Sequence, residues 1–191
     1  MQGILGLVTI ESRYAHLELE RRFLLPSAHS ARPGVTGARV LAIEDRYVRG
    51  TRLRLRTVSE AGRTPVHKLG KKVRLDPAHP STVKHTTLYL DDAETAVLLT
   101  LPADAVTKAR TLQPWQGLTV AVDVFAGPLT GLVLAEVDLG ENGVLPVAGP
   151  PLPWLADVTD DERFTGGHLA RTPACHLTDL LREFGAATVQ V

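Results

Sequence analysis

The sequence predicts a mainly β domain, an antiparallel barrel or sandwich with few helices, on three observations. Segments alternating with period two recur along the chain, turn residues separate them, and only two stretches read as secure helices. The 191 residues fit one medium domain able to bury its own core, and 44% hydrophobic against 22% charged residues is an ordinary soluble globular composition. The single Cys175 cannot form an internal disulfide, which suits a reducing cytoplasm.

Met1 to Ile10 has an apolar stretch but no basic flank or clear cleavage site, and Glu11 follows, so no signal peptide is expected. Residues 1–16 are read as a leader or an extra strand. No segment approaches the roughly 20 apolar residues of a membrane-crossing helix, so no membrane partner is expected. The first strand, Leu17 to Phe23, sets Glu18, Glu20 and Arg22 on one face. The next, Thr51 to Arg56, puts Arg52, Arg54 and Arg56 on one face and leucines on the other. His67 to Leu75 carries Lys68, Lys72 and Arg74 together, and His85 to Leu90 follows. Thr119 to Phe125 has Asp123 as its one charge, and Val133 to Leu139 sets Glu136 and Asp138 on one face.

Turns are expected at Arg49-Gly50, Glu60-Ala61-Gly62, Asp76-Pro77 and Ala126-Gly127-Pro128. One helix opens after an N-cap at Asp91 and stops at Leu101-Pro102, and a short turn is expected after Ala103. The second runs from Thr172 or Pro173 through Leu177, Leu180, Leu181 and Phe184 to Gly185, its apolar stripe read as packing on a barrel wall in preference to the alternative, a plug in one barrel end. Val147 to Trp154 reads as an extended linker. The organisation expected is a leader over 1–16, a barrel over 17–170, and a helix and tail over 171–191 belonging to the same domain.

Formal net charge is zero, which argues against indiscriminate nucleic-acid binding, and no stable nucleic-acid partner is expected. The zero hides a sorting by sign. Basic residues crowd Arg39 to Arg74, whereas Trp115 to Glu162 holds no Lys or Arg. For any single strand, a charged face usually points to solvent. Here three arginines beside a strand with Lys68 and Lys72 would repel across the sheet by some fraction of a kcal/mol per opposed pair. Something anionic between them would turn that cost into binding. If about eight strands close into a barrel, its interior is wide enough for one small ligand. Inside it, Glu18, Glu20, Glu136 and Asp138 would supply carboxylates, and Arg22, Arg54, Arg56, Lys72, Lys108 and Arg110 cations.

These residues resemble the CYTH superfamily of triphosphate tunnel metalloenzymes, in particular its bacterial inorganic triphosphatase-like branch. Glu18-Leu19-Glu20-Arg21-Arg22 is similar to the family's opening Glu-x-Glu-x-Lys. Arg54-Leu55-Arg56, the lysines Lys68 and Lys72, and Lys108-Ala109-Arg110 follow in the family's order. Asp123-Val124-Phe125, Glu136-Val137-Asp138 and Asp157 to Phe164 resemble its closing motifs. The resemblance spans roughly residues 17 to 170.

It implies a closed antiparallel eight-stranded β-barrel with a few peripheral helices, hydrolysing a triphosphate with Mg²⁺ or Mn²⁺. Glu18, Glu20, Glu136 and Asp138, with Asp123 as a further candidate, would hold metal. Arg54, Arg56, Lys68, Lys72, Lys108, Arg110 and Arg163 would bind substrate. Catalytic roles would fall to Arg22, Lys72 and Lys108. Hard divalent cations take oxygen ligands, and phosphoryl transfer asks a protein chiefly for positioning and charge stabilisation.

Arg22 stands where the family has lysine and Asp138 where it has glutamate; arginine grips phosphate but cannot give up its proton. His85, Thr87 and Tyr89 occupy a strand on which some members carry acidic residues. The seven histidines are scattered without zinc-ligand spacing and are read as structural or exposed. Other branches act on thiamine triphosphate, on RNA 5′-triphosphate ends or on ATP as adenylate cyclases. Only 5% of residues are aromatic, which favours a small inorganic substrate over one needing ring stacking. A non-catalytic polyphosphate or nucleotide sensor, and a structural barrel without a tunnel ligand, stay open.

Overall fold

The structure, a computed structural model, describes residues 15–27, 39–74, 82–140, 143–144 and 149–186. All but the end of the expected leader, the Asp76-Pro77 turn, part of the linker after Val147, and residues 187–191 lie outside them. The strands are β1 (His16–Leu24), β2 (Arg39–Val48), β3 (Leu53–Ser59), β4 (Val66–Arg74), β5 (Thr82–Leu90), β6 (Ala103–Trp115), β7 (Leu118–Phe125), β8 (Val133–Asp138) and β9 (Ala156–Asp157). The helices are α1 (Asp92–Leu99), α2 (Gly166–Leu169) and α3 (Ala174–Glu183).

Neighbours run antiparallel in the order β5-β4-β3-β2-β6-β7-β8-β1, and β1 also pairs with β5, which closes an eight-stranded barrel. β1 pairs with β5 over His16–Leu19 and with β8 over Glu20–Leu24, and the short β9 joins it at Phe23 and Leu24. Val158 N–H donates to Arg22 O, and Arg22 N–H donates to Thr159 Oγ1. The C-terminal segment therefore completes the backbone bonding of β1 where β5 leaves it, and fixes the backbone of Arg22.

Six strands coincide with the alternating segments of the sequence. β2 and β6 were not expected, and the turn anticipated after Ala103 is instead the start of β6. The reason is common to both. Neither shows an apolar–charged alternation: Glu44, Asp45 and Arg46 are three successive charges in β2, and Thr107, Ala109 and Thr111 alternate with Lys108 and Arg110 in β6. α1 follows its Asp91 N-cap with a complete capping box to Glu94, and Gly185, at φ +68°, ends α3.

The apolar core divides in two. Phe23, Val120, Val122, Val133, Ala135 and Val137 cluster on the outward side of β1, β7 and β8, with Leu152 and Trp115 packed against them. Leu24, Val106, Phe125 and Leu134, on the inward side at one end, cluster with Val158, Phe164, Leu169, Leu177, Leu180 and Leu181. So α3 does not lie on a barrel wall as its stripe suggested; with α2 it caps a barrel end. No helix among the described residues is long and apolar enough to cross a membrane.

Candidate tunnel site

With the apolar clusters outside and at one end, the rest of the interior is a charged cavity of about 680 Å³. Burying that many charges is costly unless each is paired, and the pairing is close to continuous. Behind the cavity wall Asp123, fully enclosed, accepts from Lys108 Nζ at 2.5 Å and from Arg110 Nε and Nη2 at 2.6 Å each. Arg110 Nη2 also donates to Glu136 Oε2 at 2.5 Å. Arg22 then joins Glu136, at 3.3 Å from Nε, to Glu20, at 3.6 Å from Nη2. Lys72 Nζ bridges Glu20 Oε1 at 2.6 Å and Glu18 Oε2 at 2.9 Å, and His85 Nδ1 meets Glu18 Oε1 at 2.5 Å. Across the barrel, Asp45 takes a two-pronged bond from Arg56 at 2.6 and 2.7 Å, with Arg54 Nε 3.5 Å away.

The register explains these meetings. Glu20 lies opposite Asp138, Arg22 opposite Glu136, Arg110 opposite Asp123 and Asp45 opposite Arg56, so each pair sits on facing strands on the inward face. Gly70 leaves the room that His85 uses: a Cβ there would stand 3.1 Å from His85 Nε2 and 3.6 Å from Arg54 Nη2. A Cβ at Gly166 would collide with the Tyr47 hydroxyl, so α2 docks on the cavity wall only through glycine.

The protonation states follow from these partners. Burial alone would raise the Glu18 carboxyl, but the His85 hydrogen bond and the Lys72 charge outweigh it and hold the group at about 2. Burial is likewise opposed at Asp45, kept below its ordinary value by Arg56, and at Glu136, held well below by Arg110 and Lys108. Lys72 is pushed up by Glu20 and Glu18 against its burial, so it stays a cation. Lys108 goes the other way, because its enclosure outweighs Asp123.

The expected residues Glu18, Glu20, Arg22, Arg54, Arg56, Lys72, Lys108, Arg110, Glu136 and Asp138 all line this one cavity. Three do not. Asp123 is sealed behind the wall, its two oxygens taken by Lys108 and Arg110. Lys68 has its Nζ over the Tyr89 ring at 4.9 Å, outside the lining. Arg163 is committed to Asp161 and Glu183, each at 2.7 Å, outside the cavity. Sequence reasoning missed Asp45, which had no alternation to announce it, and took His85 as structural or exposed although it lines the cavity.

Among the described residues, the buried Glu18 Oε2 and Arg54 Nε are held by charge rather than by well-aligned hydrogen bonds, with Lys72 Nζ at 2.9 Å and Asp45 Oδ1 at 3.5 Å. The donors Glu18, Glu20, Glu136 and Asp138 are all hard oxygens on the adjacent strands β1 and β8, the kind that suits Mg²⁺ or Mn²⁺. As the side chains stand, no three His, Cys, Asp or Glu among the described residues gather into a metal-holding group, since Lys72, Arg22 and Arg110 occupy the carboxylates. The donor set fits such an ion in kind, and holding one requires exchange of these ion pairs.

No protein-family model matches the chain, and no curated protein does. Solved structures do resemble it. A structure of the hypothetical protein NE1496 aligns with 82% of this chain and 99% of its own at 21% identity and a TM-score of 0.51. A structure titled the inorganic triphosphatase NE1496 gives 81%, 95%, 21% and 0.49. A conserved hypothetical protein from Pyrococcus furiosus gives 89%, 91%, 16% and 0.47. At these identities the likeness is one of fold, and the fold is the closed barrel that the CYTH resemblance implied.

Proposed function

We propose that this chain is a metal-dependent triphosphatase that hydrolyses a linear triphosphate, inorganic tripolyphosphate by preference, inside the barrel. The observation that carries this reading is one cavity in which carboxylates of β1 and β8 face arginines and lysines of β3, β4 and β6. The carboxylates suit a cation and the guanidinium and ammonium groups an anion, and a metal-bound triphosphate is both.

In this reading Arg54, Arg56, Lys72, Lys108 and Arg110 bind and orient the phosphate oxygens, arginines by paired N–H donors and lysines as point charges. Asp45 and Asp123 position the Arg54–Arg56 and Lys108–Arg110 pairs from behind. Glu18, Glu20, Glu136 and Asp138 would hold Mg²⁺ or Mn²⁺, which supplies charge neutralisation and an activated water when bound. Arg22, tied to Glu20 and Glu136, serves as an electrostatic stabiliser, since a guanidinium is a hydrogen-bond donor and not a base. The inorganic preference is supported by the lining, whose rings Tyr47, Phe125 and Phe164 are covered by packing and offer no open stacking face.

The test is phosphate release from tripolyphosphate, ATP and thiamine triphosphate with Mg²⁺, Mn²⁺ or chelator. Metal-dependent release, fastest on tripolyphosphate and reduced about a hundredfold or more by Glu18→Gln with Glu20→Gln, is expected. Arg22 favours a second reading, a non-catalytic polyphosphate sensor, because arginine cannot act as a base. Tripolyphosphate that raises the melting temperature with no release under any metal would select the sensor.

A further inference from the structure

The arginines of β3 change character along the strand. Arg56 is held by Asp45 through two bonds, and Arg54, two residues on, is 3.5 Å from the same carboxylate with its Nε unbonded. Arg52, in the turn before β3, is exposed and has no ion-pair or hydrogen-bond partner among the described residues, yet it lines the same cavity. All three fall on one side of the strand, at steps of about 6.5 Å per two residues.

The turn at Arg52 lies at the barrel end capped by α2 and α3, because β2 ends there at Val48 where β6 begins at Ala103. Arg171, just past α2, also lines the cavity, is exposed, and has no partner among the described residues. The Gly166-Gly167 backbone of α2 rests on Tyr47, next to Val48, which brings this segment to the same end. Of the other titratable groups at this end, His168 is exposed, Asp104 is paired with Arg49 at 2.7 Å, and Glu162 has an interaction of its own.

We infer that Arg52 and Arg171 form an outer anion subsite that continues the triphosphate site, so that the cavity takes linear polyphosphate chains longer than three phosphoryl groups. This inference rests on the triphosphate reading and extends its substrate class. Cations without partners at the end of a row of paired ones attract the next charges of a chain whose first charges lie inside.

Calorimetric titration of the whole protein with tripolyphosphate, tetrapolyphosphate and long-chain polyphosphate tests it, in the wild type and in Arg52→Ala with Arg171→Ala. The wild type is expected to bind the long chain about tenfold or more tighter than tripolyphosphate, with the gain beginning at four phosphates. In the double variant the ratio of long-chain to tripolyphosphate affinity should fall to the small statistical excess of a repeating ligand, and Arg52→Lys with Arg171→Lys should restore most of it. Equal affinity for all chain lengths in the wild type overturns the inference while leaving the triphosphate reading standing. So does a ratio unchanged in a folded double variant. A wild type that binds none of the three overturns both.

Discussion

Two knots of charge share this barrel and differ in what they permit. Around Asp123 the pairing is sealed: the carboxylate is fully enclosed, Lys108 is nearly so, and both carboxylate oxygens are spoken for. Around Glu18 and Glu20 the pairing is half open. Lys72 bridges both with a third of its side chain exposed, and the two carboxylates are themselves about a fifth exposed. The carboxylate of the closed knot is architecture, since Asp123 has no other partner to go to and holds Lys108 and Arg110 in place at the cavity wall. An open knot can exchange, because water and incoming ions offer its groups alternatives.

The largest effect should come from breaking the closed knot. Asp123→Ala leaves Lys108 and Arg110 buried without their common anion and should cost about 3–5 kcal/mol in urea unfolding. A near-wild-type midpoint would show the two knots to be alike. Acid comes next. Asp45 and Glu18 both have folded values below their ordinary 3.8 and 4.5, so their stabilisation is complete above about 4.5 and is lost as pH falls towards about 2. Melting temperature should therefore decline over that window, and a flat profile there would mean the pairs do not survive in solution.

Smaller changes sharpen the contrast. Gly70→Ala forces His85 or Arg54 to yield and should cost about 1–2 kcal/mol while weakening tripolyphosphate binding; unchanged affinity would put that wall outside the site. Glu18→Gln with Glu20→Gln leaves Lys72 without its two anions but within reach of water, and should cost about 1–2 kcal/mol in urea unfolding, less than Asp123→Ala. Arg163→Ala removes an exposed pair outside the cavity, so less than about 1 kcal/mol and no loss of tripolyphosphate affinity are expected.

Much of the cavity could be read from the sequence because strand alternation puts like-placed charges on one face: Glu18 with Glu20, Arg54 with Arg56, Glu136 with Asp138. What alternation cannot say is which charge meets which. Asp123 looked like one more metal ligand, and only the register of β6 and β7, which sets it opposite Arg110, turns it into an anchor. Asp45 was invisible because it stands between Glu44 and Arg46, three successive charges that erase the period of β2. Arg163 matched a motif in order along the chain, but its partners Asp161 and Glu183 lie outside the barrel's interior, and motif order carries no such information. The cap was half legible: the stripe on α3 announced burial without naming the surface it covers.

The claim that the open knot exchanges its lysine and arginine partners for a divalent ion is tested most directly by titrating Mn²⁺ into the protein in a calorimeter, without substrate. A saturable binding event in the wild type, absent from a Glu18→Gln, Glu20→Gln variant that still unfolds cooperatively, is the predicted result. Mn²⁺ binding that persists undiminished in that variant, or no binding to the wild type at all, would contradict it.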